Sequence, residues 1–100
     1  MTDFGLNVYL PAEGKLVIST PRFDFDTFPP LGERLLQMLS ATVIEKQWDA
    51  DIHTWLVDFE GCKLLMKAEH YSETVWFECL DKVAAGEELH FLAGLFEKGF

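Results

Sequence analysis

The feature that most constrains the fold is a run of alternating apolar and polar residues between Trp48 and Asp81. Three segments alternate, at residues 55–59, 63–69 and 74–79, and turn-forming residues separate them. A period of two places successive side chains on opposite faces of a strand, so the pattern predicts an antiparallel meander. One face of that sheet should pack into a core, and the other should point away from it.

Two turns set the register of the meander and therefore assign its faces. A two-residue loop at Glu60 and Gly61 predicts that Phe59 lies opposite Cys62, and a second turn near residues 71–72 pairs the next two strands. The face predicted to form the core holds Trp55, Val57, Phe59, Cys62, Leu64, Met66, Val75, Phe77 and Cys79. A register error of one residue would exchange the two faces.

The opposite face is more apolar than a solvated sheet face should be. Charged residues occupy much of it, but four apolar residues are predicted to be neighbours there: Leu56, Leu65, Trp76 and Leu80. Apolar surface of this extent is normally covered. Two covers are open at this point. The N-terminal hairpin could fold over the four residues, or they could form an interface with a protein partner or a second copy.

The rest of the chain predicts two helices and a further hairpin. Outside the meander we expect strands at 6–10 and 15–20, a helix at about 30–41, a strand at 43–48 and a helix from 83 or 87 to 98. No linker, repeat or low-complexity tract is present, so we expect one domain over residues 1–100. The predicted fold is α+β, in the order ββαβββ(β)α, with two helices packed on one face of an antiparallel sheet.

Charge and composition exclude several classes of partner. The chain has 17 acidic and 8 basic residues, a formal net charge of −9, which repels nucleic-acid phosphates and anionic lipid headgroups. We therefore expect no nucleic-acid and no membrane partner. No apolar run approaches the roughly 20 residues of a membrane-spanning helix, and two cysteines without a secretory signal predict thiols in a reducing, cytoplasmic compartment.

Motifs that carry catalysis or bind cofactors are absent from the sequence. The alternative is a site of oxygen and nitrogen ligands, in which Asp49, Asp51 and His53 would point the same way if their segment is extended. Glu69 or His70 on a nearby strand could complete a metal or small-ligand site there. Asp-Ala-Asp is also ordinary turn sequence, because aspartate side chains bond to the local backbone.

Two segments carry a resemblance to a known family. These are the hairpin at residues 55–61, Trp-Leu-Val-Asp-Phe-Glu-Gly, and the segment at 71–78, Tyr-Ser-Glu-Thr-Val-Trp-Phe-Glu. With its length and acidity, the chain resembles a family of short uncharacterised bacterial proteins that is labelled a domain of unknown function. The resemblance implies a bacterial cytoplasmic setting and brings no catalytic residues with it.

These observations favour a small, non-enzymatic interaction protein or homodimer that uses Leu56, Leu65, Trp76 and Leu80. The alternative function is a small ligand-binding or metal-dependent enzyme with its site near Asp49, Asp51, His53 and His70. No cofactor is predicted.

Overall fold

A computed structural model describes residues 3–80 and 82–99 of the chain, with residues 82–85 described by their backbone alone. Its elements are β1 (Gly5–Leu10), a short 3-10 helix (Pro11–Glu13), β2 (Lys15–Ser19), α1 (Phe28–Met38), β3 (Thr42–Asp49), β4 (Ile52–Phe59), β5 (Cys62–Glu69), β6 (Thr74–Cys79) and α2 (Lys82–Lys98). The α+β class and the predicted order are confirmed, and the strand that the sequence left in parentheses is present.

All six strands form one antiparallel sheet in the order β1-β2-β6-β5-β4-β3. Strand β2 pairs with β6, with Leu16 opposite Phe77 and Val17 opposite Trp76. The N-terminal hairpin therefore extends the sheet in its own plane, and the alternative in which it folds over the outer face is wrong. Pairing at this edge satisfies backbone groups of β6 that the meander alone would leave without partners.

The predicted registers are confirmed at both turns. Phe59 lies opposite Cys62, and Leu64 lies opposite Cys79. At the first turn, Glu60 and Gly61 have φ of 53° and 81°, so both central residues take the positive φ of a type I′ turn. The side chain of Asp58 supports this turn, because its Oδ1 accepts a hydrogen bond from the Gly61 amide at 2.9 Å.

Both helices pack on the same face of the sheet. The Phe77 ring of β6 contacts the Phe96 ring of α2, and the Trp55 ring of β4 contacts the Phe28 ring of α1. The buried hydrophobic cluster between the helices and the sheet comprises Phe4, Leu16, Ile18, Phe23, Phe28, Leu35, Leu36, Leu39, Trp55, Val57, Phe59, Leu64, Met66, Ala68, Val75, Phe77, Leu89, Leu92, Ala93 and Phe96. Cys62 and Cys79 are half-buried at its margin.

Helix α1 starts and ends earlier than the sequence predicts. A reciprocal pair of hydrogen bonds, each of 2.8 Å, joins Asp24 and Thr27 and sets the entry to the helix. The carboxylate of Asp24 accepts from the Thr27 amide and interacts with the Thr27 hydroxyl, and these bonds hold the pKa of Asp24 below its usual value. At the other end Ser40 takes a φ of 56°, and the Ala41 amide donates to the Leu36 carbonyl at 2.9 Å, which closes the helix in a Schellman motif.

Among the described residues, neither helix combines the length and the hydropathy that crossing a membrane requires.

Candidate interaction surface

The face of the sheet away from the helices is open. Every outward-pointing residue of β2, β4, β5 and β6 is at least partly exposed. By contrast, Leu64 and Phe77, which point inward on the same strands, are 0% and 1% exposed. Within the part of the chain that the structure describes, both helices and the buried cluster lie on the other side, so these outward side chains shield only one another.

An apolar stripe crosses this open face through five strands. Val8 of β1, Val17 of β2 and Trp76 of β6 lie directly opposite one another, and Leu65 of β5 lies opposite Leu56 of β4. Trp76 lies opposite Lys67 and is thus diagonal to Leu65, which joins the two sets. We call Val8, Val17, Leu56, Leu65 and Trp76 the outer apolar band. Leu80, just beyond the end of β6, is 56% exposed.

Three of the four residues that the sequence singles out therefore lie in the outer apolar band. The other two members of the band, Val8 and Val17, could not be predicted from the sequence. Val8 and Val17 join the band only because β2 pairs with β6, strands that are more than fifty residues apart in the chain. A turn determines the register of adjacent strands, whereas no local signal determines a pairing of that separation.

A polar network sits inside the band. The Trp76 indole N–H donates to Glu78 Oε1 at 2.7 Å, and Lys67 Nζ lies 3.2 Å from the other carboxylate oxygen of Glu78. Burial by itself would raise the pKa of Glu78, but the hydrogen bonds from Trp76 and Lys67 and the charges of Lys67 and Lys15 lower it overall. Glu78 therefore stays ionised at neutral pH beside apolar side chains.

The four central strands carry balanced charge on this face. They direct three lysines and three carboxylates outward, namely Lys15, Lys63, Lys67, Asp58, Glu69 and Glu78. Two opposite-charge pairs lie directly across strands, Lys15 with Glu78 and Asp58 with Lys63. Since the whole chain carries −9, its net negative charge arises from the other 14 acidic and 5 basic residues. The four central strands thus form a neutral area on an acidic protein, and Glu45 and Asp49 of β3 add two carboxylates at the edge of the face.

Comparison with known proteins gives one family. Residues 4–97 match a family described as a protein of unknown function, DUF3630. The chain belongs to this family. No curated protein and no solved structure matches it. The expected resemblance to a family of unknown function is confirmed, while a bacterial origin stays a prediction.

The alternative site near Asp49, Asp51, His53 and His70 does not assemble as the sequence predicts. The segment from Asp49 to His53 is not extended, because β3 turns into β4 at Ala50, where φ is 52°. Asp49 lies opposite Ile52, whereas His53 lies opposite Trp48, so Asp49 and His53 point to opposite faces of the sheet. The expectation that the three side chains point the same way is wrong for this reason.

The structure does place His53 and His70 near each other, around the ring of Phe25. The Phe25 ring stacks on the His53 ring, with 4.2 Å between the ring centroids. It meets the His70 ring edge-on, with 6.2 Å between the centroids. His53 is 6% exposed, and its Nε2–H donates to the Phe25 carbonyl at 3.0 Å. His53 therefore anchors the segment between β2 and α1 on the sheet.

Asp51 and His70, the remaining members of the alternative site, contact each other through their backbones. The His70 amide donates to the Asp51 carbonyl at 3.4 Å, and His70 Nδ1 is buried with no hydrogen-bond partner in the described part of the chain. Among the described residues, no three histidine, cysteine, aspartate or glutamate side chains are arranged to hold a metal ion. The geometry here gives the metal alternative no support.

A cleft that the sequence does not predict lies between the 3-10 helix that joins β1 to β2 and helix α2. It has a volume of about 370 Å³, and its lining includes Tyr9, Cys79, Glu87 and His90. The rings of Tyr9 and His90 lie 6.0 Å apart at an angle of 55°. Strand β6 and the start of α2 meet the N-terminal hairpin here, so this grouping also depends on the pairing of β2 with β6.

Proposed function

We propose that this protein is a non-enzymatic protein-interaction module whose binding surface is the outer apolar band. The observation that carries the proposal is the pairing of β2 with β6, which removes the internal cover that the sequence suggested and adds the exposed Val8 and the half-buried Val17 to the apolar surface. Contiguous apolar surface of this kind on a soluble protein marks a contact site.

The composition of the face supports the proposal. The apolar side chains of the band enclose the Lys67–Glu78 ion pair, and further charged residues, Asp58, Lys63 and Glu69, lie around them. An apolar centre with a polar rim is the usual anatomy of a protein interface. Trp76 adds a large aromatic side chain at the centre, which is the residue type most enriched among energetically dominant interface positions.

An enzyme with its site near Asp49, Asp51, His53 and His70 draws less support. Asp49 and His53 lie on opposite faces, and the His53 ring is committed to packing against Phe25. Thermal unfolding with added divalent ions tests this alternative, because a ligand that binds the native state must raise stability. The cytoplasmic location stays a prediction of the sequence, which fractionation of the source cell would check.

Site-specific photo-cross-linking in the source cell tests the proposed function. We would place the photoreactive amino acid p-benzoylphenylalanine at Leu56 on the outer face, and at Trp48 in a matched variant. Trp48 is also on a strand of the sheet and 68% exposed, but it pairs with His53 and so faces the helical side. The proposal expects protein adducts from position 56 that position 48 does not give. Absence of adducts from position 56 would overturn it.

A further inference from the structure

We infer that the partner of the outer apolar band is a second copy of this chain, packed face to face as a two-fold symmetric β-sandwich. This inference rests on the proposed function, since it names the occupant of the same surface. The three steps that support it are the charge of the face, the internal satisfaction of its polar groups, and its size.

Charge distinguishes a second copy from an oppositely charged partner. A basic protein would be drawn to the rest of the molecule, where 14 acidic residues face only 5 basic ones, and not to the central strands with their three lysines and three carboxylates. A two-fold interface brings one patch against itself, so the patch must be its own complement. Equal numbers of both signs meet that requirement, and they keep two chains of charge −9 from repelling each other at the point of contact.

The indole N–H of Trp76 and both carboxylate oxygens of Glu78 are already paired inside one chain. Glu78 receives the Trp76 N–H on one oxygen and Lys67 on the other. Covering the band with another apolar surface therefore leaves no donor or acceptor of Trp76 or Glu78 without a partner. Burial of unsatisfied polar groups is the main cost that would oppose association of such a face.

The face has the area that a stable dimer needs. Six strands of five to eight residues, spaced by about 4.8 Å and rising about 3.4 Å per residue, give a face of roughly 650 Å² in projection. Its accessible area is larger, because side chains stand out from the sheet, and a standard interface buries about 800 Å² per partner. Two such sheets pack about 10 Å apart with their strands crossing at about −30°, the geometry of a β-sandwich.

Sedimentation velocity over a dilution series tests the inference. We expect the wild-type chain of 11.5 kDa to sediment as a dimer at high concentration and to dissociate on dilution. Leu56→Ser and Leu65→Ser should each raise the dissociation constant at least tenfold, because each removes apolar area from the contact. Trp48→Ser, on the opposite face, should leave it unchanged. Circular dichroism confirms that each variant is folded.

Salt separates this contact from charge-driven association. Added NaCl should leave the dimer intact or tighten it, because salt screens repulsion between two acidic chains and does not weaken an apolar contact. A dimer that persists in folded Leu56→Ser and Leu65→Ser, or that salt dissociates, would overturn the inference.

The two proposals fail in different ways. If the wild type is monomeric throughout the dilution series and position 56 cross-links to another protein in the cell, the second copy is wrong and the interaction function stands. If position 56 also gives no adduct, both are wrong. An adduct of twice 11.5 kDa, identified by mass spectrometry as two copies of the chain, supports both.

Discussion

Gly32 lies on the side of α1 that packs against the Trp55 ring of the sheet. A Cβ added there would lie 3.0 Å from Phe28 Cζ and from two atoms of the Trp55 ring. These are buried aromatic rings, so we expect Gly32→Ala to lower the free energy of unfolding by about 1–3 kcal/mol through overpacking, in spite of alanine's higher helix propensity. Urea denaturation measures the change.

Gly94 provides the matched control for that substitution, because it lies in α2 and a Cβ there would meet nothing within 4 Å. Gly94→Ala should raise the free energy of unfolding by up to about 1 kcal/mol. If both alanine variants are stabilised alike, the close packing of α1 on Trp55 is contradicted.

Glu78 makes stability depend on pH at a residue of the outer face. Its pKa in the folded chain lies below the usual 4.5, so its contribution is present above pH 4.5 and is lost as the pH falls through the lowered pKa. Glu78→Gln should cost about 1–2 kcal/mol at pH 7 and progressively less in acid. Urea denaturation at several pH values measures this.

Lys67 supplies the check on the cause of that pH dependence. In a Lys67→Met background, Glu78→Gln should lower the free energy of unfolding at pH 7 by less than it does in the wild type. The reason is that Lys67 Nζ and a Glu78 carboxylate oxygen form an ion pair at 3.2 Å. An unchanged difference would show that Lys67 does not stabilise the Glu78 carboxylate.

At the scale of the element, the end of α1 departs from the residue preferences of its motif. Ser40 takes a φ of 56°, where glycine is the usual residue of a Schellman motif. Ser40→Gly should therefore raise the free energy of unfolding by about 1 kcal/mol, because it removes the left-handed strain of a residue with a Cβ. Thermal unfolding measures it, and a fall in the melting temperature would contradict the assignment.

Elements with local signals were predictable from the sequence. The Glu60-Gly61 turn and the alternation on its two sides determine the register of β4 and β5, and the structure has that register. The limits of α1 were not predictable to the residue, since Asp24 and Thr27 cap its entry from a segment that reads only as irregular. The sequence predicts wrongly that Asp49 and His53 point the same way, because that prediction assumes one continuous strand. A turn interrupts the strand between them, and residues two apart across a turn need not lie on the same face of the sheet.

At the scale of the whole molecule, the one pairing that sequence could not supply decides the function proposed here. The apolar residues Leu56, Leu65 and Trp76 were visible from the meander, but whether the N-terminal hairpin covers them depends on contacts between β2 and β6. The sequence of β2 is compatible with pairing to β6 and with lying over the outer face, because Leu16 and Ile18 would be buried in either arrangement. The structure puts the hairpin in the plane of the sheet, and the residues of the outer apolar band stay partly exposed.

The central claim, that association covers the outer apolar band, is tested most directly by acrylamide quenching of Trp76 fluorescence. In a Trp48→Phe variant the remaining tryptophans are Trp55, which is 1% exposed, and Trp76, so the quenchable emission comes from the outer face. Our account predicts that quenching decreases as the protein concentration rises through the dimer dissociation constant, and that the decrease is lost with Leu65→Ser. Quenching that is the same at every concentration would contradict it.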